Sequence, residues 1–243
     1  MNPSSVDVVL AALPSGGIAI VVGAAGGIGG ALFGRLSMQS RFSAVLGLGR
    51  SSSPPLDLTD EASIAGAARH VAGLGADLRL IIDASGILHG DGLLPEKGWR
   101  DLDAVQMAKA FAVNSIGPAL LMKHFLPLLP RQGRSVFATL SARVGSIGDN
   151  RLGGWYSYRA SKAALNQFVR TAAIELGRRQ PAALCVALHP GTVATALSAP
   201  FVKAGLNVQT PEQAADGLLE VIDRLPPGSS GGFFDHCGEP VPW

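Results

Sequence analysis

A wholly apolar run, a glycine-rich turn and a helical segment follow one another between residues 18 and 38, and this succession constrains the fold more than any other feature of the sequence. Ile18-Ala-Ile-Val-Val22 is typical of a strand buried on both faces of a parallel sheet. Gly23-Ala-Ala-Gly-Gly-Ile-Gly-Gly30 supplies the turn, and Ala31 to Met38 has a helical composition. Because parallel strands need crossover connections, this order predicts an α/β chain.

The alternation of strand and helix continues to the end of the chain. Further strands are predicted at 44–49, 78–82, 135–140, 184–188 and 232–234, and long helices at 102–126, 158–176 and 211–225. A short strand at 56–58 follows Pro54-Pro55 too closely for an intervening helix. Right-handed crossovers then predict a single doubly wound (Rossmann) domain over residues 1–243, with about seven parallel strands and helices on both faces.

Composition argues against several classes of protein. The net charge of +2 comes from dispersed basic and acidic residues, so no nucleic-acid footprint is expected. Cys185 and Cys237 cannot build a disulfide framework, and no Cys/His cluster has metal-ligand spacing, so we expect reduced thiols in the cytoplasm and no metal. The uncharged run from Val8 to Gly34 contains Pro14 and many glycines, which does not suit a membrane span.

The glycine-rich turn has a chemical use beyond its shape. Gly23, Gly27 and Gly29 fit the spacing G-x-x-x-G-x-G between a buried strand and a helix. A pyrophosphate needs close backbone approach and free helix N-terminal amides at this place, and bulkier residues would block it. A tight turn without a ligand is the alternative. The flanking elements favour a nucleotide site.

Tyr158 and Lys162 are spaced i and i+4 on a predicted helix, so both side chains project from one face. A free phenol has a pKa of about 10, and a nearby ammonium favours the phenolate, which would bring the tyrosine closer to useful acid/base behaviour. An exposed helix face with an ordinary lysine is the alternative. The pair is therefore a candidate for proton transfer.

Five motifs, taken together and in order, resemble the short-chain dehydrogenase/reductase superfamily. They are the glycine turn, Asn114 in Val-Asn-Ser-Ile-Gly, the Ser141 region, Tyr158-Arg-Ala-Ser-Lys162 and Pro190-Gly-Thr-Val-Ala-Thr195. Ser141 to Ile147, Tyr156 to Asn166 and the ending Gly-Glu-Pro-Val-Pro-Trp243 are similar to the branch of C-factor-like and sniffer-type carbonyl reductases.

The resemblance implies a catalytic tetrad. Tyr158 would be the general acid or base, Lys162 would hold the nicotinamide ribose and tune Tyr158, and Asn114 would position a water. A serine would polarise the substrate carbonyl, but the family position for it, three residues before Gly145, is Ala142. We therefore expect Ser141 to serve, with Ser146 as second choice. The alternative is that neither hydroxyl reaches the substrate.

The resemblance also implies the cofactor contacts. Arg50 and Ser51 follow the second strand, where a carboxylate would select NAD(H), so NADP(H) is favoured and NAD(H) stays possible. Asp57 matches an adenine-contacting aspartate or else caps the next helix. Asp83-Ala-Ser-Gly86 replaces the family's Asn-Asn-Ala-Gly, so Asp83 or Ser85 must help to hold the cleft. Further cofactor contacts are expected from Gly23, Gly27, Ile28, Gly29, Ala84, Ser85, Gly86, Lys162, Pro190, Gly191, Val193 and Thr195.

The resulting expectation is an NADP(H)-dependent oxidoreductase that transfers hydride between nicotinamide and a carbonyl or alcohol substrate. A dinucleotide-binding regulatory protein is the alternative, and an isomerase or dehydratase on the same scaffold is a third.

Substrate loops are predicted at 87–100, 143–155 and 192–210. His189 is interpreted as structural. The helices at 102–126 and 158–176 form contacts between subunits in this family, which implies a homodimer or homotetramer.

Overall fold

Parallel strands form the central sheet of the computed structural model, which describes residues 10–90, 92–201, 205 and 207–243. The strands are β1 Ile18–Val22, β2 Ala44–Leu48, β3 Leu78–Asp83, β4 Ser135–Leu140, β5 Ala183–His189, β6 Thr192–Val193, β7 Val208–Gln209 and β8 Phe233–Asp235. Six of them form the main sheet in the order β2-β1-β3-β4-β5-β8, and β6 pairs with β7 separately. The order reverses beside β1, which creates a crevice at the carboxyl ends of β1 and β3.

Helices cover both faces of the main sheet. They are α1 Gly27–Ser37, α2 Glu61–Ala72, α3 Ala104–Phe111, α4 Gly117–Phe125, α5 Tyr156–Arg179 and α6 Pro211–Arg224. Alternate residues of β1 enter two separate cores: Ile18 and Ile20 pack with α2, α4 and α5, whereas Ala19 and Val21 pack with α1 and α6. The predicted doubly wound sheet is confirmed. Among the described residues, no helix is long and apolar enough to cross a membrane.

The strand count differs by one from the prediction. Residues 56–58 form no strand, so β2 is the edge of the sheet. The segment after β2 is instead a compact turn in which the Ser52 hydroxyl donates to the carbonyls of Gly49 and Pro54, and the Leu56 amide donates to Gly49. The segment between β2 and α2 is too short for a crossover helix, and a parallel strand cannot pair without a crossover.

Candidate active site

A cavity of about 380 Å³ opens at the carboxyl ends of β1, β3, β4 and β5. Residues from several motifs that are distant in sequence line this cavity, and both Tyr158 and Lys162 are among them. Its lining is Gly26, Gly27, Ile28, Ala84, Ser85, Gly86, Ile87, His89, Leu140, Ser141, Tyr158, Lys162, Pro190, Thr195, Ala196 and Leu197. Most of the expected site residues therefore share one space.

Lys162 lies beneath Tyr158 on the first turns of α5. Its side chain is buried, its Nζ donates to the carbonyl of Leu140 at 2.8 Å, and Nζ lies 6.0 Å from the centre of the Tyr158 ring. Gly145 makes this packing possible, because a Cβ there would lie 2.7 Å from the Cβ of Lys162. The helix and the end of β4 thus clamp the lysine in place.

The electrostatics of the pair differ from the prediction. Desolvation raises the pKa of Tyr158 to about 12, although part of the side chain faces the cavity. Desolvation also lowers the pKa of Lys162 to about 8, while the negative charge of Asp83 acts in the opposite direction. The expectation that Lys162 lowers the pKa of Tyr158 is wrong, because burial of the phenol raises this pKa instead. The Tyr158 phenol is therefore protonated at neutral pH.

Asn114 ties the loop after β3 to the helical layer. It lies in a single π-helical turn, Ala112–Ile116, between α3 and α4 and is completely buried. Its Oδ1 accepts from the Ile87 amide and its Nδ2 donates to the Ile87 carbonyl, both at 2.8 Å. A Cβ on Gly86 would lie 3.4 Å from Asn114 Oδ1 and 3.5 Å from Lys162 Nζ. The asparagine side chain is thus engaged with backbone, and a role toward water stays a prediction.

Asp83 holds two neighbouring strands together at the cavity. One carboxylate oxygen accepts from the amide and hydroxyl of Ser85, and the other accepts from Thr139 Oγ1 at 2.7 Å. Asp83 ends β3 and pairs in register with Val22 and Thr139. The expectation that Asp83 or Ser85 holds the cleft is confirmed, and the negative charge also explains the upward influence on the Lys162 pKa.

The glycine-rich turn fits a dinucleotide phosphate. Gly23 has a φ of +79°, and a Cβ on Gly29 would lie 2.2 Å from the carbonyl oxygen of Gly23. α1 begins at Gly27, and no side chain caps its first amides because the preceding residue is Gly26. A Cβ on Gly27 would lie 2.7 Å from Thr195 Cγ2. Only glycines allow this close convergence, which leaves helix N-terminal amides available to an anion.

The segment after β5 forms the opposite wall. Pro190 and Thr195 line the cavity, and Gly191 has a φ of +77°. Val193 is buried in β6, so its side chain supports the wall while its backbone continues toward Thr195. The Thr195 amide donates to Ser198 Oγ at 3.1 Å. The structure brings Pro190 and Thr195 to the site and uses Val193 as packing.

Arg50, Ser51 and Asp57 lie outside the cavity lining, at the edge of the sheet. Leu48 accepts from the Gly23 amide at 2.8 Å, so the exposed Arg50 follows β2 close to the glycine turn. Asp57 accepts from the amide and hydroxyl of Thr59, which with nearby Arg50 lowers the Asp57 pKa. The alternative that Asp57 caps the next helix is wrong, because Asp60 caps α2.

The two candidate serines, Ser141 and Ser146, lie in different places relative to the cavity. Ser141 lines the cavity, but its Oγ donates to Asn166 Oδ1 at 2.7 Å in a buried contact. Ser146 does not line this cavity, and its Oγ accepts from the Asp149 amide at 3.1 Å. Ala142 stands at the start of the short helical turn Arg143–Gly145. Of the two serines, only Ser141 is adjacent to the candidate site.

Sequence reasoning missed Glu96. Glu96 is 4% exposed, and its carboxylate accepts from the backbone amide and the hydroxyl of Ser157 in the first turn of α5. The Glu96 carbonyl also accepts from the Trp155 amide, where Trp155 precedes the helix with a φ of +53°. These bonds fix the start of the helix that carries Tyr158. No local pattern points to Glu96, since its partners are about 60 residues away.

An aromatic wall stands beside Tyr158 and joins the predicted substrate loops. Trp155 packs edge-on against Tyr158 and Phe201, with centroids 6.2 and 5.1 Å apart, and His89 packs on Phe201 at 5.5 Å. In contrast, Leu152 is exposed, and Arg143 pairs with Asp149. Position 91 of the loop 87–100 and positions 202–204 and 206 of the loop 192–210 lie outside the described residues.

Comparisons with known proteins agree with this geometry. A family model described as enoyl-(acyl carrier protein) reductase matches residues 35–215. The chain is 35% identical over 190 residues to 1-hydroxy-2-glutathionyl-2-methyl-3-butene dehydrogenase of Rhodococcus sp., covering 78% of this chain and 79% of that protein. It is 39% identical over 143 residues to C-signal of Myxococcus xanthus, covering 59% and 82%.

Solved structures of other proteins share this fold. NADPH-bound carbonyl reductase from chicken fatty liver superposes with a TM-score of 0.82 at 27% identity, covering 95% of this chain and all of that one. The carbonyl reductase Sniffer of Drosophila melanogaster superposes with a TM-score of 0.79 at 22% identity, covering 94% of this chain and all of that one. The matched family, the glycine turn and the Tyr158–Lys162 pair at one cavity together place the chain in the short-chain dehydrogenase/reductase family of oxidoreductases.

Proposed function

We propose that this protein is an NADP(H)-dependent oxidoreductase that interconverts a carbonyl compound and the corresponding alcohol, with Tyr158 as general acid or base. The observation that carries the proposal is the cavity shared by Tyr158, Lys162 and the glycine-rich turn. A bound nicotinamide would supply the hydride. The protein would bind and orient both reactants and deliver the proton.

Proton delivery falls to Tyr158. Its pKa of about 12 keeps the phenol protonated at neutral pH, which suits donation to a carbonyl oxygen during reduction. Lys162 sits under the ring with a positive charge that is retained below a pKa of about 8. That charge stabilises the phenolate left after donation and would hold a ribose hydroxyl. Asn114 would then orient a water on the path that reprotonates Tyr158.

Carbonyl polarisation is assigned to Ser141. It lines the same cavity as Tyr158, whereas Ser146 does not. In the structure the Ser141 hydroxyl donates to Asn166 Oδ1. To serve the substrate it must exchange that acceptor for the carbonyl oxygen, which costs the protein one buried hydrogen bond.

The choice of NADP(H) rests on Arg50. Its exposed guanidinium follows β2 beside the glycine turn, where a 2'-phosphate would lie, and Ser51 adds a hydroxyl. Further cofactor contacts are proposed for the residues that follow β1, β3 and β5, namely Ile28, Ala84, Ser85, Gly86, Gly191 and Val193. The similarity to an NADPH-bound carbonyl reductase supports the same choice.

The test compares Tyr158→Phe with Tyr156→Phe, because these are the only two tyrosines and Tyr156 is exposed. Oxidation of NADPH, and of NADH in parallel, is followed across a panel of aldehydes, ketones and diketones. We expect turnover in the wild type and in Tyr156→Phe, and a loss of at least about a hundredfold in kcat for Tyr158→Phe, with NADPH binding retained. Turnover that is unchanged in Tyr158→Phe would overturn the assignment.

A second candidate is a dinucleotide-binding regulatory protein with little turnover. Ala142 at the serine position and the engagement of Ser141 with Asn166 favour it, and C-signal is among the relatives. NADPH binding without conversion of any substrate in the panel, together with a lack of effect of Tyr158→Phe on that binding, would select this candidate.

We also propose that the protein is a homodimer or homotetramer that associates through α3 to α5. Val105, Ile116, Phe168 and Ile174 are exposed apolar residues of this helical layer. Size-exclusion chromatography with light scattering should give a multiple of the 24.9 kDa chain mass. A monomeric mass at micromolar concentration would refute the proposal.

A further inference from the structure

The turn after β8 gathers three metal-ligand side chains away from the cavity. Asp235, His236 and Cys237 each offer one ligand atom, and these atoms lie within 4.8 Å of one another. None of the three lines the Tyr158 cavity. The sequence analysis expected no metal because no Cys/His cluster has metal-ligand spacing. The turn geometry, rather than the spacing, makes them converge.

Hydrogen bonds donated by backbone amides define the shape of this turn. Asp235 Oδ1 accepts from the amides of Cys237 and Glu239 at 2.9 and 3.1 Å. The Asp235 carbonyl accepts from the Gly238 amide at 2.9 Å, and Gly238 has a φ of +87°. One carboxylate oxygen thus shapes the turn, and the other has lone pairs for a cation.

Two imidazole nitrogens close to this turn are buried without a hydrogen-bond partner in the described part of the chain. Nδ1 of His236 and Nδ1 of His189 are buried and have no hydrogen-bond partner among the described residues. His189 is in register with Asp235 across β5 and β8. Burying a ring nitrogen without a partner costs stability, and a metal ion would satisfy one directly. Nδ1 of His236 lies against Gly191, 3.2 Å from the position that a Cβ there would occupy.

We propose that the turn binds one divalent transition-metal ion of the zinc type through the Asp235 carboxylate, a His236 ring nitrogen and the Cys237 thiolate. Thiolate, imidazole and carboxylate form the donor set that Zn²⁺ prefers, and three protein ligands leave a fourth position for water. Arg143, a cation that acts electrostatically on Asp235, is already paired with Asp149. Binding requires no turnover and is independent of the proposed function.

Cobalt titration tests the proposal. Protein freed of metal with a chelator and returned to chelator-free buffer at pH 7.5 is titrated with Co²⁺. We expect a thiolate-to-cobalt charge-transfer band and visible bands of tetrahedral Co²⁺, both saturating at one ion per chain and bleached by Zn²⁺. Absence of the charge-transfer band in the wild type would overturn the proposal.

Matched variants identify the ligands. Cys237→Ser should abolish the charge-transfer band, and His236→Gln should weaken Co²⁺ binding by at least about tenfold. The controls are Cys185→Ala, which removes the only other thiol, and His70→Gln, which changes an exposed histidine of α2. Both controls should bind Co²⁺ like the wild type. A band that persists in Cys237→Ser, or that disappears in Cys185→Ala while the circular dichroism spectrum is unchanged, would refute the site.

Discussion

The Ser141 hydroxyl donates to Asn166 Oδ1 at 2.7 Å, so the end of β4 is bonded to α5 one turn beyond Lys162. This contact holds the only serine hydroxyl of the 141–147 segment that borders the cavity. Asn166 Nδ2 is itself buried without a partner among the described residues. The bond therefore matters both to stability and to the proposed polarisation of the substrate.

Replacement of this serine separates the two roles. Ser141→Ala leaves Asn166 Oδ1 unpaired, and we expect the free energy of unfolding to fall by about 1–3 kcal/mol in urea denaturation. If Ser141 also polarises the substrate, kcat falls at least about tenfold more than in Asn166→Leu, which removes the acceptor but keeps the hydroxyl. The converse change, Ala142→Ser, restores the family pattern and should raise kcat. Equal kcat in all three variants would exclude a role for either position.

Activity should depend on the charge of Lys162. Its pKa is lowered to about 8 by burial, so the side chain loses its proton as the pH rises through this value. We expect kcat/KM for NADPH, measured at saturating substrate, to fall along a basic limb near pH 8, because this parameter reports the free enzyme. Lys162→Arg should move the limb above pH 10, since guanidinium stays protonated.

Asp83 supplies the internal control for that assignment. Its charge raises the pKa of Lys162, so Asp83→Asn should shift the basic limb to lower pH. A limb that stays in place in both Asp83→Asn and Lys162→Arg belongs to another group. Asp83→Asn also weakens the hydrogen bond to Thr139. Thermal denaturation at pH 7 would measure the resulting loss of stability.

Glu96 should stabilise the start of the helix that carries Tyr158. Glu96→Ala leaves the amide and the hydroxyl of Ser157 without their buried acceptor, and we expect a loss of about 2–4 kcal/mol in the free energy of unfolding. Glu175→Ala, an exposed position on the same helix, should change it by less than about 0.5 kcal/mol. Similar losses in both variants would show that the Glu96 contact contributes little.

Cofactor preference should follow Arg50. Arg50→Ala removes the charge proposed to face the 2'-phosphate, so the Kd for NADPH should rise about tenfold or more while the Kd for NADH stays within about twofold. Arg69→Ala, an exposed position on α2, should leave both values unchanged. Fluorescence titration measures the two constants. Parallel weakening of NADPH and NADH binding would contradict a 2'-phosphate contact.

Much of the architecture could be predicted because its signals are local. β1 is a short apolar run, and the turn glycines lie within eight consecutive residues. The i, i+4 spacing of Tyr158 and Lys162 also survives intact, since α5 keeps both on one face. The absent seventh strand was mispredicted because residues 56–58 are apolar enough for a strand, whereas pairing depends on whether a crossover fits before them.

The amino-acid sequence by itself determined the alternation of strand and helix, the glycine turn and the Tyr158–Lys162 pair, because backbone propensity and side-chain periodicity act over a few residues. Only the tertiary structure decided that the Ser141 hydroxyl bonds to Asn166 and that Glu96 bonds to the first turn of α5. It also decided that burial raises the pKa of Tyr158. These outcomes depend on side-chain direction, distant partners and desolvation. All three arise only when the packed elements exclude water from the site.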